Sequence, residues 1–189
     1  MADAALAGFH PRKEHPYEPL TRLGLAACRQ MMPMREDLPP APEGYEEVKK
    51  KAMSAYKQAL AANAPVHTIK KLAEAYNRAH WMPDIVKWYD LTPQDLADRQ
   101  SPYELNAFCL NNVYFVGVPG ETVMATNDYL RSNSYGAKLV TMTECNGDLG
   151  YIATREQYPF GSYEVNCGMQ HISGEQRLRE AALELILRA

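Results

Sequence analysis

Apolar residues recur at helical spacing in the first half of the chain and at strand spacing in the second. Leu20, Leu23, Ala27 and Met31 share one face of a helix predicted over Leu20–Met32, which Pro33 ends. Pro39, Pro40 and Pro42 predict an extended linker, because each proline turns the residue before it away from the helical region. A second helix is predicted over Tyr45–Ala62, with Val48, Met53, Tyr56 and Leu60 on its apolar side. After Asn63-Ala64-Pro65 a third runs from Val66 to about Met82 and carries Ile69, Leu72, Ala73, Tyr76 and His80. The short break makes these two antiparallel neighbours. Lys49-Lys50-Lys51 and Lys70-Lys71 are interspersed with glutamates and read as solvated faces.

The pattern changes after Asp95. Tyr103–Leu110 and Val113–Val118 read as strands, and Asn111-Asn112 between them tolerates positive φ, so a hairpin is predicted. The second strand is apolar on both faces and belongs in the interior of its sheet. Pro119-Gly120 turns the chain, and Glu121–Arg131 is predicted as a helix. Ala137–Thr143 is another strand. Asn146-Gly147-Asp148 is a turn before a short extended piece around Tyr151. Ser173 followed by Gln176 is a capping-box signal for a final amphipathic helix bearing Leu178, Ala182, Leu185 and Ile186.

The fold class expected is therefore mixed α/β (α+β): a helical first half, then a mixed sheet with a strand–turn–helix site and a carboxyl-terminal amphipathic helix. Residues 1–17 read as an extended arm, 18–100 as a helical region and 101–189 as the region carrying the site, within one domain that is part of a larger catalytic domain. The 189 residues and 46% apolar content allow a real core, which excludes general disorder. A net charge of -3 with a pI near 6.0 argues against nucleic acid as partner. No stretch approaches the roughly 18 consecutive apolar residues of a membrane helix. Met1–Pro11 lacks the basic start and apolar run of a secretory signal; the cytoplasm is the expectation, with secretion the alternative if a preceding segment carries a leader. Cys28, Cys109, Cys145 and Cys167 form no C-x-x-C pair, so reduced thiols are expected. A Cys145–Cys167 bridge is the alternative for an exported protein.

Two segments carry candidate chemistry. In Val116-Gly117-Val118-Pro119-Gly120-Glu121-Thr122 an apolar strand meets a Pro-Gly turn, which exposes Glu121 at the end of the sheet and beside the positive end of a helix dipole. A first-turn glutamate that merely stabilises its helix has the same pattern. In the second, Asn146-Gly147-Asp148-Leu149-Gly150-Tyr151 is followed by Thr154, Glu156, Tyr158 and Tyr163-Glu164. The hydroxyls of Tyr151 and Tyr163 could reach a polar site, although aromatics in short strands commonly serve packing.

In this order the two segments resemble the carboxyl-terminal part of the catalytic domain of the neutral (non-lysosomal) ceramidase family and its bacterial relatives. The matching residues are Pro119-Gly120-Glu121, Asn146, Gly150-Tyr151-Ile152, Thr154, Glu156, Tyr158, Tyr163-Glu164 and the helix from Gly174, and the match covers about Phe108–Ala189. The resemblance implies a zinc-dependent hydrolase of N-acyl (amide) bonds, in sphingolipid metabolism for the family's namesake substrate. It assigns Glu121 and Tyr151 to the metal and Tyr163 to catalysis. Zinc takes carboxylate oxygen and imidazole nitrogen and lowers the pKa of a bound water to roughly 7.

The family's two histidine ligands lie in amino-terminal segments that this sequence does not match. His10, His15, His67, His80 and His171 fall in none of the matching motifs. Asp148 is an additional carboxylate near the site with no assigned role. The expectation is a partial domain that binds Zn²⁺ only when histidine ligands come from another segment or chain. That completion comes from an amino-terminal half or from self-association, with His10 and His15 of one copy approaching Glu121 of another. An N-acyl lipid-like compound is the expected substrate. The alternative from a different class is a non-catalytic structural or interaction domain that keeps the family fold.

Overall fold

The computed structural model describes residues 19–37, 42–88 and 90–189. The amino-terminal arm with His10 and His15, and Pro39 and Pro40 of the linker, lie outside them. In chain order the elements are β1 (Leu23–Pro33), α1 (Pro42–Ala61), α2 (Val66–Trp88), α3 (Pro93–Ala97), β2 (Gln100–Leu110), β3 (Val113–Gly117), β4 (Glu121–Thr122), α4 (Met124–Asn133), β5 (Lys138–Met142), β6 (Tyr151–Ile152), a 3₁₀ helix (Arg155–Phe160), α5 (Tyr163–Cys167) and α6 (Gly174–Arg188). The fold is mixed α/β, as the sequence pattern predicts.

The main sheet has the order β1-β2-β3-β5. β2 and β3 form the predicted hairpin, and Asn111 takes the positive φ of 56° that the tight turn demands. β3 sits inside the sheet, antiparallel to β2 and parallel to β5, with α4 lying in the crossover between them. The inward residues of the sheet alternate as a strand requires: Ala26 and Met32 on β1, Tyr103, Leu105, Ala107 and Cys109 on β2, Tyr114 and Val116 on β3. They pack beneath α6, whose Leu178, Ala181, Ala182, Leu185 and Ile186 are all buried.

The helix expected over Leu20–Met32 is instead β1, paired with β2 along all eleven of its residues. Leu23, Ala27 and Met31 are four apart, a spacing that places them on one helix face and equally on one strand face. In the strand that face points outward, and Leu25 beside them is 77% exposed. The ladder with β2 decides the matter, since the buried side of β1 is the small-residue series Gly24, Ala26, Cys28 that α6 can approach closely.

Two further corrections concern helix starts. Glu121 does not open a helix: it lies in β4, its N–H bonds to the Gly150 carbonyl at 3.0 Å, and α4 begins only at Met124. The helix-dipole role expected for Glu121 therefore falls away. Ser173 precedes α6 as expected, but its side chain makes no cap bond; its hydroxyl is 2.9 Å from His171 Nδ1, so the capping box is not formed. The four cysteines are free, which removes the Cys145–Cys167 bridge.

The orientation of β1 is testable by unfolding in urea. Leu178→Ala, which empties a fully buried position of α6, is expected to cost about 2–5 kcal/mol. Leu23→Ala, on the outward face and 70% exposed, is expected to stay within about 0.5 kcal/mol of the parent; a loss comparable to that of Leu178→Ala would return β1 to a helix with Leu23 inside.

Candidate functional site

The site is built where β3 leaves the sheet. Val118, buried, is followed by Pro119 and Gly120, and Gly120 takes φ 153°. A side chain at Gly120 would come within 2.8 Å of the Gly150 carbonyl oxygen and 2.9 Å of the Ile152 Cδ1, so only glycine lets the two segments meet here. Beyond it, β4 pairs in parallel with β6, Glu121 opposite Tyr151 and Thr122 opposite Ile152. The 28 residues between β4 and β6 are thus closed by a two-residue ladder that sets one carboxylate beside one phenol.

The ladder sets the Glu121 carboxylate close enough to the Tyr151 phenol to act on its ionisation. Tyr151 is partly buried, and its pKa is pushed up to about 12, first by desolvation and then by the Glu121 carboxylate beside it. At neutral pH it is therefore a neutral hydrogen-bond donor. Tyr163, on α5, presents its ring edge-on to that of Tyr151, with centroids 5.3 Å apart and planes at 72°. The structure thus brings Glu121, Tyr151 and Tyr163 together.

α5 supplies a fourth member that sequence reading assigned no role. Cys167, one turn after Tyr163, lies near enough to its phenol for the two to interact. The Cys167 thiolate charge raises the Tyr163 pKa, while burial raises that of the Cys167 thiol. α5 lies close enough to β6 for this because residue 168 is glycine: a side chain there would meet the Tyr151 carbonyl oxygen at 2.5 Å.

A cavity of about 360 Å³ opens over this cluster, lined by Tyr151, Tyr163, Cys167, Gly150 and Asp148 on one side and by Asn77, Arg78 and Trp81 of α2 on the other. Asp148, without a role in the sequence, holds the turn by accepting the Gly150 N–H at 2.7 Å and stands at the cavity wall. A larger and more polar hollow of about 490 Å³, between Arg29, Glu104 and Asn146, shares only Asp148 with it and holds none of the clustered tyrosines. The helical spacing of Asn77, Arg78 and Trp81 is a signal that they share a wall, but nothing local in the sequence says what that wall faces.

The histidines are elsewhere. His67 is exposed on α2, His80 packs against Tyr76 and Trp81 on the same helix, and His171 Nδ1 is engaged with Ser173. Among the described residues no group of three or more His, Cys, Asp or Glu side chains converges in a way that could hold a metal ion. Zinc needs three or four protein donors, and Glu121 with Tyr151 offers two oxygens, one of them on a phenol held protonated. The residues described on this chain do not by themselves make a zinc site.

No family model matches the sequence, and no curated protein matches it. Among solved structures, the neutral ceramidase of Pseudomonas aeruginosa aligns with 46% of this chain at 16% identity and a TM-score of 0.43. A ceramidase complexed with C2 aligns with 47% at 17% identity and a TM-score of 0.41. The chain spans 15% of the length of each of these structures.

The approach of Glu121 to Tyr151 has a titration signature. Glu121→Gln removes the charge, and the Tyr151 ring signals, followed by NMR against pH, are expected to titrate at lower pH than in the parent while burial keeps them above the ordinary phenol range. The sign is fixed: with the folded phenol pKa raised, the contribution of this group to stability is fully present below the unfolded pKa near 10 and is lost as pH rises through about 12. An unchanged titration in Glu121→Gln would show that carboxylate and phenol do not meet.

Proposed function

We propose that this chain carries the carboxyl-terminal part of a ceramidase-like site that hydrolyses N-acyl (amide) bonds, with Glu121, Tyr151 and Tyr163 as its contribution. The observation that carries the reading is the pairing of Glu121 with Tyr151 across β4 and β6, with Tyr163 against the phenol ring. These are the three residues that the motif resemblance selects, and they come from segments well separated in the chain.

Amide hydrolysis asks for charge stabilisation where the carbonyl oxygen becomes an oxyanion. Tyr163 is neutral at physiological pH and offers an O–H donor beside the cavity, which suits it to that oxygen, while the single O–H of Tyr151 faces Glu121. Glu121 is the acceptor of the cluster: it orients the Tyr151 phenol and provides the carboxylate that a cation or a proton would take. Zinc, when bound, supplies a hydroxide nucleophile at neutral pH. Its remaining ligands would be histidines of an amino-terminal half or of a second copy.

A second reading, a non-catalytic interaction domain, is favoured by the outer face of the main sheet. Leu23 and Leu25 are strongly exposed there, Phe108 stacks on Phe115 with centroids 4.6 Å apart, and Val140 is 42% exposed. Single exposed apolar residues are ordinary, but a contiguous patch of this kind marks an interaction surface.

The two readings separate in one assay. Zinc content and hydrolysis of an N-acyl amide are measured for the chain alone and with the amino-terminal half of a bacterial neutral ceramidase supplied in trans. The hydrolytic reading expects substoichiometric zinc and no turnover alone, turnover on completion, and a loss of roughly 10²-fold or more in Glu121→Gln, Tyr151→Phe or Tyr163→Phe. Stoichiometric zinc on the isolated chain would contradict a half-site, and a completed protein indifferent to Glu121→Ala would leave the interaction domain.

A further inference from the structure

The cavity also contains a cation that hydrolysis of a neutral amide leaves unused. Arg78 lines it from α2, its side chain only 19% exposed. Nη1 donates to the Asn166 carbonyl at 2.9 Å, and Nη2 lies 3.3 Å from Asp37 Oδ2. Asp37, however, is already gripped through both oxygens by Arg35, whose Nε and Nη2 donate at 2.8 and 2.9 Å. One carboxylate thus serves two guanidinium groups, and Arg78 has the longer contact. A guanidinium carries five N–H donors, so these two contacts leave donors over on a group that faces the cavity.

The other charged groups nearby do not settle the account. Glu74, one turn earlier on α2 and buried, accepts the Asn166 Nδ2 at 2.7 Å and has Lys70 at 3.9 Å. Asp148, at the opposite wall, accepts the Gly150 N–H. Burial, and then repulsion from Arg35, pull the Arg78 pKa down, which is the mark of a cation short of counter-charge. Arg78 is near enough to Cys167 for the two to interact electrostatically, and Cys167 is in turn beside Tyr163. Trp81, Tyr151 and Tyr163 give the lining an aromatic part, beside Asn77 and Gly150.

From this arrangement we infer that Arg78 is a carboxylate receptor, and that the compound entering the cavity is an N-acyl amino acid: its carboxylate on the Arg78 fork, its acyl chain against Trp81, and its amide beside Tyr151 and Tyr163. An arginine fork matches a planar carboxylate through two parallel bonds, which a neutral headgroup cannot offer. The inference rests on the hydrolytic reading for its amide, but the carboxylate site can be measured without turnover.

Binding of hexanoylglycine and of its methyl ester to the chain as it stands, followed by calorimetry and by the Arg78 Nε–H signal in NMR, tests it. The acid is expected to bind roughly tenfold or more tighter than the ester and to shift the Arg78 signal where the ester does not. Arg78→Gln should abolish that preference and Arg78→Lys should keep part of it. Should Arg78→Gln fail to fold, since it also loses the Asn166 bond, the Nε–H response of the parent protein decides by itself. Equal binding of acid and ester, an Arg78 signal indifferent to the acid, or a preference that survives Arg78→Gln overturns the receptor. An Arg78-dependent preference in a protein that hydrolyses nothing when completed keeps the receptor and sinks the hydrolytic reading alone.

Discussion

The hydrolytic site proposed for this chain depends on a ladder two residues long. β4 and β6 place Glu121 opposite Tyr151, and the register leaves no freedom: a slip of one residue would turn both side chains to the other face. Such a short ladder is not stable by itself. It is held by what surrounds it, namely the turn at Pro119-Gly120, the bonds that Val118, Gly120 and Glu121 make with Met142, Glu144, Cys145 and Gly150, and the buried Ile152 beneath. The turn at Gly120 thereby connects the interior of the main sheet to the position of one carboxylate.

The opposite wall is positioned by charge. α5 is too short to hold its place by packing, so its carbonyl ends are tied down: Arg35 donates to Val165, Arg78 to Asn166, and the Asn166 amide reaches back to Glu74 on α2. These contacts fix Tyr163 and Cys167 against β6, where Gly168 permits the close approach. The same arginines that anchor α5 leave one cation facing the cavity. A structural clamp and a binding group are thus parts of one arrangement, and a substitution at Arg78 acts on both.

The legible parts of the fold are those whose signal is local. The Asn111 hairpin, the interior strand β3, the paired helices α1 and α2 and the apolar stripe of α6 follow from residues a few positions apart. β1 was not legible because a spacing of four satisfies both periods, and only its partner β2, whose paired residues lie 67 to 87 positions on, distinguishes them. The start of α4 was misplaced because a Pro-Gly turn signals where a strand ends but not whether another follows. At the site, Glu121, Tyr151 and Tyr163 could be selected from ordered motifs, and their convergence is what the structure adds. Arg78, Trp81 and Cys167 could not be selected, since α2 meets α5 through contacts such as Arg78 to Asn166 that no local pattern encodes.

The claim that Glu121 and Tyr151 act as one unit is tested most directly by a double-mutant cycle on unfolding free energy, with Glu121→Gln, Tyr151→Phe and the pair. Direct contact predicts a coupling of roughly 0.5–3 kcal/mol between the two substitutions. Effects that add to within about 0.3 kcal/mol would mean that carboxylate and phenol do not touch, and the site built on them would be lost.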